Sequence, residues 1–241
     1  MADDIVGRVL MLVVRRTSSF PPGTSLPAWS TWDYDRAELL VDGIVHACGL
    51  AGAVVGTAVL GALVSQAGVS LTSASVVVYA AGLLAMLGLS AVYNLCPVSP
   101  VKWMLRRFDQ SAIYLFIAAS YTPFLTHSVA SAIPIVTLSL IWALAIAGAV
   151  LKMLLCGRLE RFSLGLYLLL GWIGLVAYRY EIMALPQLAL WLIVLGGLIY
   201  SAGVIVYLWQ SLRFQNAIWH GFVLVGASCH YAAVLTCVQA A

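Results

Sequence analysis

Seven apolar runs divide the chain, at residues 44–64, 73–96, 109–126, 133–155, 162–178, 186–208 and 216–238. Each approaches the roughly 20 residues that a helix needs to cross a bilayer, and none shows the strict alternation of a barrel strand. Inside hydrocarbon the backbone must satisfy its own hydrogen bonds, so such runs predict helices. The expected fold is all-α: a polytopic membrane protein built as a seven-transmembrane helix bundle.

The polar positions that break this pattern fall at the ends of the runs. Glu38, Asp42 and His46 recur at four-residue steps and share one face of the first helix. Ser90 and Asn94, also four apart, close the second run. Asp109 opens the third, and Asn216 and His220 open the seventh. Spans that alternate in direction bring all of these to one mouth of the bundle. An ionisable group costs about 2.5–3.5 kcal/mol at the centre of a membrane helix, which turns it toward the bundle interior. The opposite half holds His127, Arg179, Glu181 and the deeper His230.

Each of these residues also has a plainer role open to it. Asp109 and Asn216 suit helix N-caps, Ser90 can bond back to a carbonyl four residues earlier, and His46 can belong to a hydrogen-bonded helix start at the interface. His230 stands ten residues beyond His220, about 15 Å along a helix, and reads as structural or supporting. Lys102, Arg106 and Arg107 read as a short basic loop between the second and third runs. Residues 1–35 form a separate N-terminal cytoplasmic or interfacial segment, a short apolar piece followed by the proline-rich FPPGTSLP, and residues 36–241 form the transmembrane domain.

Composition agrees with the pattern and adds a direction. The 241 residues are 63% hydrophobic and 9% charged, with a mean hydropathy of +1.02, more apolar surface than a soluble core of this length can use. A net charge of +3 gives no reason to expect nucleic acid. Sorted by side, Arg8, Arg15, Arg16, Arg36, Lys102, Arg106, Arg107, Lys152, Arg158, Arg161 and Arg213 fall together, and Arg179 alone falls opposite. That asymmetry predicts a membrane protein with its N-terminus inside and its C-terminus outside, and an odd number of spans. Asp3 and Asp4 stand where a cleaved leader is basic, so no signal peptide is expected. The cysteines have no paired spacing and read as packing residues. No nucleotide-binding, zinc-protease or serine-hydrolase motif appears, and the seventh run has no lysine for a retinal Schiff base.

The segments FDQSAIYLFIAASYTPF and NAIWHGFVLVGASCHYAAV, the E-x3-D-x3-H stripe ending at His46 and the S-x3-N at Ser90 resemble the signature segments of the hemolysin III family. That family is the bacterial branch of the progestin and adipoQ (adiponectin) receptor family, and the resemblance covers about residues 36–238. It implies a seven-helix bundle with a cytoplasmic N-terminus and a zinc site near that face. In the family pattern zinc is held by three histidines, one ending S-x3-H on span two and two in H-x3-H on span seven. A serine and an aspartate stand beside the metal, the aspartate holding its water. Ser90 and Asp109 match these catalytic positions and His220 matches a ligand, whereas Asn94 and Asn216 stand where the pattern has histidine.

A neutral amide oxygen suits harder cations than zinc. Zinc then needs another set, such as His220, Asp109, His46 or Cys96, or else the asparagines bond to Asp109 and His220 in place of a metal. Three functions follow from the resemblance. One is a lipid-linked membrane regulator or sensor that binds a membrane lipid or acyl-chain ligand beside a degenerate metal site, with His46, Asp42 and Glu38 as an additional polar site. Another is a zinc-dependent lipid amide hydrolase of the ceramidase kind. The last is a cytolytic pore-former, for which mostly apolar spans provide no charged lumen.

Overall fold

A computed structural model describes residues 34–67, 71–126, 133–155, 160–177 and 185–240. These residues form helices α1 (Arg36–Ala67), α2 (Leu71–Leu95), α3 (Pro100–Thr126), α4 (Ile133–Leu155), α5 (Glu160–Ala177), α6 (Gln187–Leu208) and α7 (Gln215–Ala240), with no strand among them. Each expected apolar run is one helix. Among the described residues, five stretches are long and apolar enough to cross a membrane: Arg36–Gln66, Ser73–Leu95, Ile133–Leu155, Gln187–Leu208 and Gln215–Ala240. Large apolar side chains such as Val55, Val136, Leu154 and Ile205 face outward, an arrangement suited to lipid and poorly suited to water. The N-terminal segment up to residue 33, together with His127, Cys156, Arg158, Arg179 and Glu181, lies outside the described residues.

Two helix starts differ from the expected ones. α1 begins at Arg36, ahead of the first apolar run, because Asp35 and Glu38 close a reciprocal capping box. The Glu38 N–H donates to Asp35 Oδ1 at 2.8 Å and the Asp35 N–H to Glu38 Oε2 at 2.9 Å. The Glu38 N–H, aided by the Arg213 guanidinium, holds the Asp35 carboxyl below its ordinary pKa.

The second difference overturns the expected basic loop. Residues 100–107 are helical, with proline in the first turn of α3, where its missing N–H costs nothing. The Ser99 hydroxyl accepts from the Lys102 N–H at 3.3 Å. Lys102 turns back to donate from Nζ to the carbonyls of Asn94 and Cys96, at 3.1 and 2.8 Å, and so satisfies acceptors that the end of α2 leaves open. Asp109 therefore lies well inside α3 and is not its N-cap.

α1 packs on α2 and α7, α2 on α3, α3 on α4, and α6 on α7, while α3 also touches α5 and α7. This central position of α3 joins two cores. Ala112 and Phe116 of α3 pack with Leu60 of α1, Tyr79 and Met86 of α2 and Val234 of α7. Tyr114, Ala118 and Leu125 of α3 pack with Ile141 and Ala145 of α4 and Leu170 of α5.

At the end of the bundle where α1 begins, Glu160 ties three helices. It pairs with Arg106 of α3 at 3.3 Å and with Lys152 of α4 at 3.0 Å, and accepts from the Gln110 amide at 3.2 Å. The turn between α6 and α7, where Phe214 takes a φ of 60°, is fastened to α1 as well. Arg213 pairs with Asp35 at 3.2 Å and the Phe214 N–H donates to Glu38 Oε1 at 3.0 Å. The described basic residues, Arg36, Lys102, Arg106, Arg107, Lys152, Arg161 and Arg213, all belong to this end.

Candidate functional site

At the basic end, α1, α2, α3 and α7 direct their polar side chains inward to one cluster. Its hub is Asp42, 5% exposed. Oδ1 of Asp42 lies 2.6 Å from His220 Nδ1, and Oδ2 accepts from the Asn216 amide at 2.9 Å. One carboxylate thus joins α1 to α7 through two contacts. His46, one turn further along α1, donates from Nδ1 to the Asp42 backbone carbonyl at 2.8 Å, which leaves the lone pair of its neutral ring at Nε2, 3.2 Å from Ser90 Oγ. His220, donating through Nδ1 to the carboxylate, likewise has its lone pair at Nε2. The two rings meet edge to face with centroids 4.3 Å apart.

The asparagines act within this network as donors and acceptors. Asn94 donates to the Ser90 carbonyl at 2.9 Å, its Nδ2 stands 3.5 Å from His220 Nε2, and its Oδ1 accepts from Asn216 at 3.1 Å. Asn216 is one residue inside α7, so its amide is spent on Asp42 and Asn94 and not on capping the helix. Ser90 and Asp109 line the same cavity beside His46 and His220. Glu38 stands outside the cluster, occupied with the start of α1 and the Phe214 N–H.

Donor atoms of Asp42, His46 and His220 all lie within 4.8 Å of one another. Two imidazoles and a carboxylate match the protein ligands of a familiar kind of catalytic zinc site, and also suit other first-row metals. The donor chemistry fits a metal. The Asp42 backbone carbonyl already fixes His46 Nδ1, as outer partners do for metal-binding histidines. The Asn94 amide is the element that opposes it, because its N–H group is turned toward His220 Nε2, where a cation would approach.

The cluster separates two cavities. Toward the interior lies an apolar one of about 170 Å³, with His46, Ser90, Asp109 and His220 at one end and His230 at the other. Its walls include Met86, Phe116, Trp172 and Tyr200. Toward the basic end lies a polar basin of about 420 Å³, bounded by Arg106, Gln110, Lys152 and Glu160. Asp109 and His220 line both. Sequence reasoning placed the cluster residues at one mouth but missed Asp42 as its hub, Lys102 as the cap of α2 and Glu160 as the tie between α3, α4 and α5. The E-x3-D-x3-H stripe was the available signal for Asp42. No periodicity signals a cavity between helices.

Parts of the chain are similar to known proteins. A 134-residue stretch is 37% identical to the hemolysin-3 homolog of Bacillus subtilis, covering 56% of this chain and 63% of that protein. A 127-residue stretch is 39% identical to hemolysin-3 of Bacillus cereus, covering 53% and 58%. Thus the matched part spans less than two thirds of either bacterial relative. Human monocyte to macrophage differentiation factor is 29% identical over 197 residues, 78% of this chain and 79% of that protein. No solved structure matches the chain. The family model described as haemolysin-III related matches residues 36–231, from the first residue of α1 past the Asp42–His220 cluster and His230, and the chain belongs to that family.

Proposed function

We propose that the protein is a membrane-embedded, lipid-linked sensor or regulator that holds a long-chain amphiphile, the acyl chain in the apolar cavity and the polar head at the Asp42–His220 cluster. The observation that carries this reading is that Asp109 and His220 line both the apolar cavity and the polar basin. A molecule lying across that boundary meets the chemistry of each half: hydrocarbon against Met86, Phe116 and Trp172, and hydrogen-bonding groups at Ser90 and His220. Ligand sites are commonly of this kind, mostly apolar with a few convergent polar groups. The charge asymmetry supports a cytoplasmic placement of the basic end.

Binding of stearic acid by the purified chain, read as a ligand-dependent rise in melting temperature, tests the proposal. His220→Ala and Ser90→Ala should weaken binding by about tenfold, on the order of one net hydrogen bond. Undiminished binding in both variants overturns the placement of the head.

One observation favours a second reading, a metal-dependent hydrolase of a lipid amide: the donor atoms of Asp42, His46 and His220 within 4.8 Å. A zinc ion held by these three residues would supply Lewis acidity and a hydroxide source at neutral pH. In that reading Ser90 would offer its hydroxyl to the scissile carbonyl and Asp109 would take up a proton from the attacking water. Stoichiometric metal in the purified protein, with release of fatty acid from a long-chain ceramide, would move this reading to first place. Cytolysis draws no support from the cavity, whose inner half is apolar.

A further inference from the structure

The far end of the apolar cavity carries a second pair of polar side chains, Tyr200 of α6 and His230 of α7. His230 is ten residues beyond His220, about 15 Å along α7. Reciprocal glycines seat the pair. A β-carbon on Gly196 of α6 would lie 2.5 Å from His230 Cδ2, and one on Gly226 of α7 would lie 3.0 Å from the Tyr200 ring. Each helix thus gives up a side chain where the other inserts a ring. The rings meet edge to face, with centroids 5.5 Å apart and planes at 76°.

Neither side chain is well satisfied by the protein. Tyr200 Oη is buried and has no hydrogen-bond partner among the described residues. His230 Nε2 reaches the Ile193 carbonyl at 3.4 Å, long for such a bond. An unmet phenol O–H is costly in apolar surroundings, and a phenylalanine would fill the same space without that cost. Tyr200, a residue of the cavity wall, therefore carries a donor with nothing to donate to.

We propose that Tyr200 and His230 form a second recognition subsite, which takes an oxygen substituent, a hydroxyl or keto group, borne in mid-chain by the acyl ligand. The proposal rests on the acyl-chain reading of the cavity. Tyr200 donates its O–H to the substituent oxygen, and the His230 ring borders the position from α7. A plain hydrocarbon chain leaves the phenol unmet. The subsite lies about 15 Å from the head-binding cluster, so it selects for substitution in the middle of a long chain and not beside the carboxyl group.

The test compares a hydroxystearic acid bearing its hydroxyl in mid-chain with stearic acid, each titrated into the full chain at one fixed detergent concentration. The ratio of the two affinities is measured for the parent and for Tyr200→Phe. Expected is a preference for the hydroxy acid of about tenfold, the worth of one net hydrogen bond, which falls to about one in Tyr200→Phe. Because each ratio is taken in the same micelles, partitioning of the acids cancels between parent and variant. A parent that binds both acids equally, or a preference that survives Tyr200→Phe, overturns the subsite and leaves the acyl-chain reading standing. If neither acid binds, the acyl-chain reading falls and the subsite falls with it. A melting temperature for Tyr200→Phe at or above the parent value establishes that the variant is folded, as expected when an unpartnered hydroxyl is removed.

Discussion

Asp42 Oδ1 and His220 Nδ1 lie 2.6 Å apart, joining residues 178 positions distant in sequence across the seam between α1 and α7. The pair is buried, with side-chain exposures of 7% and 12%, and Asn216 occupies the second carboxylate oxygen. Removing one partner of such a pair strands the other. We expect Asp42→Ala to cost about 3 kcal/mol, because it leaves the buried His220 N–H and the Asn216 amide without an acceptor, whereas Glu38→Ala loses a capping interaction worth about 1 kcal/mol. Unfolding of both variants in detergent checks the order. Equal losses would mean that water reaches the Asp42 carboxylate freely.

This contrast also shows what kind of information the chain displays openly. The seven helices were legible because a bilayer imposes a length and a polarity that apolar runs reveal directly. The gathering of Asp42, His46, Ser90, Asn94, Asn216 and His220 followed from span parity alone. Harder to see was the start of α3, since Lys102, Arg106 and Arg107 look like a loop to any hydropathy count. Ser99 followed by Pro100 was the local sign of a helix start, and Lys102 spends its charge on the carbonyls of Asn94 and Cys96. The hub role of Asp42 was hidden for a different reason. A stripe of Glu38, Asp42 and His46 gives three residues equal standing, and only packing against α7 separates them, leaving Glu38 with the α1 cap and Asp42 with His220.

Topology gives a prediction independent of the site. Arg36, Lys102, Arg106, Arg107, Lys152, Arg161 and Arg213 all belong to the end where α1 begins, and cationic loops are retained in the cytoplasm. A tag on Ala241 should be reached by an impermeant reagent in intact cells, while one on Met1 should be reached only after the membrane is opened. A C-terminal tag protected in intact cells would overturn the orientation, and with it the cytoplasmic placement of the cluster.

Asn94 and Asn216 stand where imidazoles would complete a metal site. Asn94 Nδ2 stands 3.5 Å from His220 Nε2, and the Asn216 amide bonds to both Asp42 and Asn94, so both positions already project into the cluster. Asn94→His combined with Asn216→His replaces an N–H group aimed at the His220 lone pair by an imidazole able to offer a lone pair of its own. Three imidazoles then face one point, a set suited to zinc with a fourth position open. A ligand that binds the folded state alone stabilises it by about 2.7 kcal/mol at a hundredfold excess over Kd, so zinc should raise the melting temperature of the double variant well above that of the parent. Elemental analysis after dialysis should find one zinc per chain in the variant. If the parent already retains one zinc per chain and the variant gains nothing, then Asp42, His46 and His220 suffice as ligands. The Asn94 amide would in that case swing aside when the metal binds, and the hydrolase reading would displace the sensor.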